Sequence, residues 1–160
     1  MLLDTLAAAL HASEVSHTLR SSTWLYPLVN TGHVVGIALL FGGIAPLDLR
    51  LIGCWKSVPL DHLVRILVPM AIAGVVLAIS TGAFLFVTRP LDYIGEPLFA
   101  VKMALVCAAL LNALMLRRST QWGWVRVAPG APRPAWRIAG IVSLVLWLGV
   151  ITAGRLIGYR

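Results

Sequence analysis

His33 lies in the middle of a stretch that carries no charged side chain from Arg20 to Asp48, with glycines beside it at Gly32 and Gly36. An ionisable ring at bilayer depth is costly unless something partners it, so it marks a functional site by default. Two partners suit a neutral imidazole: a metal bound through one ring nitrogen, or a hydrogen bond to a neighbouring helix. The function turns on which one it has.

Other residues bear on that choice. Lys102 is a second ionisable group within an apolar run, about one and a half turns from the start of its helix, where its stem either carries the ammonium out to the headgroups or brings it to a site. Asn112 lies about three turns further on, at a depth where amides bridge helices. Gly74, Ala78 and Gly82 recur every fourth residue. With Gly36, Gly74 leaves backbone uncovered at the depth of His33, a groove that admits either another helix or a flat ligand. His62 falls near the opposite interface, about 18 Å below His33 if both helices stand upright. His11 and His17 read as solvated. The two cysteines, Cys54 and Cys107, form neither CxxC nor CxxCH, so covalent haem attachment and a zinc-finger site are unsupported. Walker, dinucleotide-binding and HExxH patterns do not occur either.

These residues must be held by membrane helices. The chain has 160 residues, 59% of them hydrophobic and 12% charged, too apolar for a soluble globule. Charge-free runs extend from Arg20 to Asp48, Arg65 to Arg89 and Arg137 to Arg155, and a fourth, Pro97 to Leu116, is interrupted only by Lys102. Each approaches the ~20 residues that span hydrocarbon. The expected fold is all-α: a single transmembrane domain over 1–160, an integral membrane four-helix bundle with spans at about 23–45, 63–88, 97–117 and 137–157. Pro46 and Asp48 are expected to stop the first span at the membrane surface.

The net charge of +7 is a matter of topology, not a nucleic-acid footprint. Arg50, Lys56 and Arg65 flank the first connection and Arg117, Arg118, Arg126, Arg133 and Arg137 fill the third, whereas the other side has Arg20, Arg89, Arg155 and Arg160. The positive-inside rule puts the first and third connections in the cytoplasm and both termini outside. A bacterial inner membrane with both termini periplasmic is the expected location. Trp24, Tyr26, Tyr93 and Trp136 are placed for an interfacial aromatic belt. Asp4 interrupts the apolar start and no basic n-region precedes it, so the N-terminal segment reads as a short interfacial helix over about 2–18, with Leu2, Leu3, Leu6 and Leu10 in the interface, and not as a cleavable signal. The loop from Ser119 to Trp136 is expected to touch anionic headgroups.

Bundle interiors hold cofactors with side chains from facing helices. Among them haem b suits these residues best: His33 as axial ligand, Gly36 and Gly74 making room for the macrocycle, and Lys102 or an arginine meeting the propionates. Lys102 is also a candidate second ligand, provided its ammonium loses its proton; a five-coordinate iron is equally compatible. Free copper or zinc lacks a second Cys, Met or His at that depth.

The segments NTGHVVGIALLFGGIAPLDLRLIG, VPMAIAGVVLAISTGAFLF and FAVKMALVCAALLNAL resemble an uncharacterised family of bacterial four-helix membrane proteins, over most of the chain. More distantly, the first three spans are similar to the membrane-bound, oxygen-independent protoporphyrinogen oxidases, in which a first-helix histidine and a third-helix lysine accompany haem b. His33, Pro69 and Lys102 match that pattern, while Asn112 stands where that family has a histidine. The first-helix histidine and glycines also resemble copper-resistance membrane proteins. The resemblance implies a related haem-binding scaffold with His33, Pro69 and Lys102 in matching positions; taken with the residue reading, the expected cofactor-binding positions are His33, Gly36, Gly74, Lys102 and Asn112, with His33 on the metal. The expected function is electron transfer with a quinone or a partner subunit. The alternatives are a non-catalytic accessory subunit of a larger membrane complex or a homo-oligomer, with His33 bonding across helices, and a metal-ion transporter.

Overall fold

The computed structural model describes residues 2–119 and 134–159. Two short helices, α1 (Leu2–His11) and α2 (Glu14–Ser21), precede α3 (Leu25–Ile52) and α4 (Leu60–Thr88). A single turn and a half, α5 (Pro90–Ile94), leads into α6 (Pro97–Arg118), and α7 (Pro134–Ile157) closes the described chain. Four of these helices, α3, α4, α6 and α7, are long and apolar enough to cross a membrane. No strand occurs among the described residues. The protein is a multi-pass, all-helical membrane protein. Arginines gather where α3, α4, α6 and α7 meet their two connections, here called the basic end; α1, α2 and α5 lie at the other, terminal end.

Local signals set the boundaries. The Ser13 side chain accepts from the Ser16 amide to start α2, and Glu96 accepts from the Leu98 amide with Pro97 at the first helical position of α6, where a missing N–H costs nothing. Gly53 ends α3 at a φ of 121°, a conformation that glycine adopts without Cβ strain. Between α1 and α2 the chain breaks at residues 12 and 13, so the N-terminal segment is two helices where one was expected. The side chains of Leu2, Leu3, Asp4 and Leu6, and residues 120–133 of the loop expected at headgroup level, lie outside the described residues.

Helix α3 does not stop at Pro46. It runs on to Ile52, because a proline near a helix end sacrifices one backbone hydrogen bond while the residues beyond it gain packing. Asp48, expected at the surface, is 4% exposed, and Leu51 is 1% exposed. Arg50 is buried beside them and donates from Nε to the Val58 carbonyl (2.8 Å) and from Nη2 to the Lys56 carbonyl (3.2 Å). One guanidinium therefore folds the first connection back onto its helix. Arg137 donates to the Ile52 carbonyl at 2.8 Å and ties the start of α7 to the end of α3. Trp136 is buried with Leu51, Leu60 and Val64. It is a core residue and not part of an interfacial belt, whereas Trp24 is 76% exposed.

Small residues decide which helices touch. Gly36, Gly43 and Gly74 bring the backbones of α3 and α4 together: a Cβ on Gly74 would lie 2.3 Å from the Leu40 nitrogen, and one on Gly43 2.7 Å from the Leu67 oxygen. Gly140 does the same between α7 and α3, its Cβ position lying 2.9 Å from the Asp48 carbonyl oxygen. Along α7 the buried positions Trp136, Gly140, Ser143, Trp147, Val150 and Ala153 recur every three or four residues, one stripe facing the interior. Helix α6, which has no glycine, packs on α7 and keeps its backbone away from α3 and α4. Ala109, fully buried, and Val106 belong to the same apolar cluster as Ala71 and Val75. The four spans thus form a row, α4, α3, α7, α6, with a cleft between its two ends.

Candidate functional site

On α3 the sequence puts His33 one turn before Gly36, and the close α3–α4 seam puts its ring against α4. Nδ1 lies 2.9 Å from the Ala78 carbonyl oxygen and 3.2 Å from Thr81 Oγ1. A carbonyl oxygen only accepts, so Nδ1 carries the proton and donates. The Thr81 hydroxyl spends its own hydrogen on the Leu77 carbonyl, 2.5 Å away, and so meets Nδ1 as an acceptor. In the neutral ring the lone pair is then on Nε2. Gly82 leaves the space that the imidazole fills, since a Cβ there would lie 3.1 Å from His33 Cε1.

Lys102 of α6 is half-buried, its stem against Gly154 of α7, where an added Cβ would lie 3.6 Å from Lys102 Cε. Two groups 69 positions apart in sequence thus both lie in the terminal half of the bundle, His33 beside Gly82 of α4 and Lys102 beside Gly154 of α7. An imidazole with one free nitrogen can bind a metal centre, and a cation at the same end of the bundle suits an anionic substituent on it.

The remaining expected site residues fall elsewhere. Gly36 and Gly74 lie against one another: the Gly36 Cβ position is 3.1 Å from the Gly74 oxygen and 2.7 Å from the Ala78 nitrogen. The room expected there for a macrocycle is taken up by helix packing, because two small residues in register let backbones close the gap. Asn112 donates from Nδ2 to the Ala139 carbonyl at 3.1 Å and bridges α6 to α7 at the basic half. His62 is exposed at the start of α4 and His17 is exposed, as expected, while His11 is half-buried and meets the Arg20 guanidinium with its ring and its carbonyl oxygen. Cys54 and Cys107 are exposed and unbonded. Among the described residues no three His, Cys, Asp or Glu side chains come together as metal ligands.

A second polar locus was not visible in the sequence. Near the basic end Asp48 of α3 and Ser143 of α7 are buried and lie within hydrogen-bonding reach. Trp147, one turn above Ser143 on α7, is 4% exposed. All three line the cleft between α4 and α6, of about 460 Å³. The only sequence signal was that an aspartate followed a proline inside an otherwise apolar segment, a pattern that also describes a helix end. No family model, curated protein or solved structure matches the chain.

Proposed function

We propose that this chain is a haem b-binding electron-transfer protein of the bacterial inner membrane, with both termini periplasmic, exchanging electrons with a quinone or a partner subunit, and that it is related to the four-helix families it resembles. The observation that carries the reading is the His33–Ala78 hydrogen bond. Metal-ligating histidines almost always donate the second ring N–H to a carbonyl or carboxylate, which fixes the tautomer and the ring plane. His33 has that arrangement, half-buried at the α3–α4 seam, with Nε2 left over.

The donor set suits a haem better than a bare ion. A bare ion needs three or four protein ligands, whereas a haem brings four nitrogens of its own and needs only one or two axial ligands. His33 would hold the iron and Lys102 would meet a propionate; bound haem supplies a reversible one-electron centre. The protein's own contribution is to orient the imidazole, supply a cation and exclude water.

The test is the absorption spectrum of the protein purified from cells supplied with haem precursors. A Soret band that disappears in His33→Ala and persists in Thr81→Val supports the proposal. A correctly folded protein with no Soret band, before and after incubation with hemin, rejects it. The same hydrogen bond favours a second reading, in which His33 only braces α3 against α4 and the protein is an accessory subunit of a larger membrane complex. A colourless wild type that is destabilised by His33→Ala would decide for it.

A further inference from the structure

The cleft between α4 and α6 has a polar wall in an apolar shell. Its lining runs along α4 from Leu60 to Val75, about 22 Å at 1.5 Å per residue. Its volume of about 460 Å³ falls within the roughly 300–1,000 Å³ typical of small-molecule sites. The lips include exposed residues of both helices, Ile72 and Arg65 on α4 and Ala113 and Arg117 on α6, so the cleft opens sideways between helices that face lipid.

Two atoms on its wall are buried with no hydrogen-bond partner: Asp48 Oδ2 and Trp147 Nε1. An unmet buried polar group costs about 1–3 kcal/mol, and two on one cavity wall call for a common partner. Ser143, within reach of Asp48, is one helical turn from Trp147 on the same face of α7, which puts both side chains in the lining of one cleft. A small rotation about the soft χ2 of the carboxyl turns Oδ2 toward the cavity.

The chemistry of the pair selects the ligand. An indole N–H only donates. Asp48 Oδ2 is an unmet acceptor, which an anionic head without a hydrogen could not satisfy. A cationic head would satisfy Asp48 but could accept nothing from Trp147. A hydroxyl does both, donating to one and accepting from the other. We infer that the cleft binds an uncharged, membrane-soluble molecule with an apolar body and a hydroxyl head, the hydroxyl held between Asp48 and Trp147. The body lies along Leu40, Val75 and Leu110, and the molecule arrives from the bilayer through the α4–α6 opening. Two membrane sources share this chemistry, a hydroquinone and a diglyceride. The site lies about 22 Å along α3 from His33 and is independent of haem.

Equilibrium binding to the wild-type protein in phosphatidylcholine nanodiscs tests the inference. The probes are radiolabelled decylhydroquinone kept reduced with ascorbate, dioctanoylglycerol, the hydroquinone methylated on both phenolic oxygens, and the O-methyl ether of the diglyceride. At least one hydroxyl compound should saturate, identifying the source, and its methyl ether should bind about tenfold or more weakly, having lost the donor. Trp147→Phe, which removes the N–H together with part of the ring, should weaken binding by a similar factor in a protein that still folds, with the midpoint lowered only by the smaller ring. Absence of saturable binding by either compound overturns the proposal, as does affinity unchanged by methylation or by Trp147→Phe. Should Trp147→Phe not fold, the ether comparison on the wild type decides alone.

Discussion

The Nδ1–H of His33 on α3 donates to the Ala78 carbonyl oxygen on α4 across 2.9 Å. That carbonyl already belongs to the α4 backbone ladder, so the imidazole uses its second lone pair and leaves the helix intact. The ring is a brace between two spans, and its second nitrogen, Nε2, makes no hydrogen bond among the described residues.

Removing the brace should be felt without being lethal. His33→Ala is expected to lower stability by about 1–2 kcal/mol, the range for cross-helix hydrogen bonds in membranes. Thr81→Val, which leaves the Ala78 acceptor in place, should cost about half as much or less. Unfolding in mixed micelles by titration with sodium dodecyl sulfate reads both.

The α3–α4 seam has no room for a single methyl. A Cβ at Gly74 would collide with the Leu40 backbone at 2.3 Å, and backbone cannot rotate away. Gly74→Ala is therefore expected to force the helices apart and cost about 3 kcal/mol or more. Gly95, with nothing within 4 Å of its Cβ position and φ of −86°, is the control: Gly95→Ala should be neutral or stabilise by up to about 1 kcal/mol. Unfolding midpoints of the two variants should move in opposite directions or differ sharply.

Arg50 holds the first connection through the carbonyls of Val58 and Lys56. Arg50→Ala leaves both without a donor and opens a cavity at a buried position, an expected loss of about 2–3 kcal/mol. Arg50→Lys should recover little, since one ammonium cannot reproduce a guanidinium's spread of donors. Limited proteolysis between residues 53 and 59 should accelerate in both.

Asn112 joins α6 to α7 through Ala139. Asn112→Leu is expected to cost about 0.5–1.5 kcal/mol and to leave the Soret band unchanged, because the residue lies at the basic half, away from His33. Loss of that band in Asn112→Leu would put Asn112 at the cofactor and contradict this geometry.

Tyr93, on α5 outside the spans, packs at a tilt against Phe86 and Phe99 at centroid distances of 5.9 and 5.2 Å. Burial, then the neighbouring Tyr26 phenol and the Asp92 carboxylate, push its phenol above the usual value of 10.0, with Arg89 opposing. The folded state thus holds this proton more tightly than the unfolded chain. Its stabilising contribution is complete below about pH 10 and is lost as the pH rises through the folded pKa. Tyr93→Phe should flatten the alkaline limb of the stability profile relative to wild type.

Four apolar runs, the helical class and the chemical oddity of His33 were all legible in the residues, because hydrocarbon admits few charges and each span must satisfy its own backbone. The pairing of Asn112 with a neighbouring helix was legible for the same reason. What the sequence could not convey was which faces meet. Glycines at Gly36 and Gly74 read equally as a ligand groove or as a packing seam, and only the register of α3 against α4 closes them on each other. Asp48 after Pro46 reads as a helix end, and only the approach of α7 at Gly140 buries it beside Ser143. Membrane helices share no hydrophobic drive to choose partners, since lipid is as apolar as their side chains, so the choice falls to close backbone approach and a few polar contacts. Those contacts join residues far apart in the chain, and they separated His33 and Lys102 at one end of the bundle from the cleft around Asp48 and Trp147 at the other.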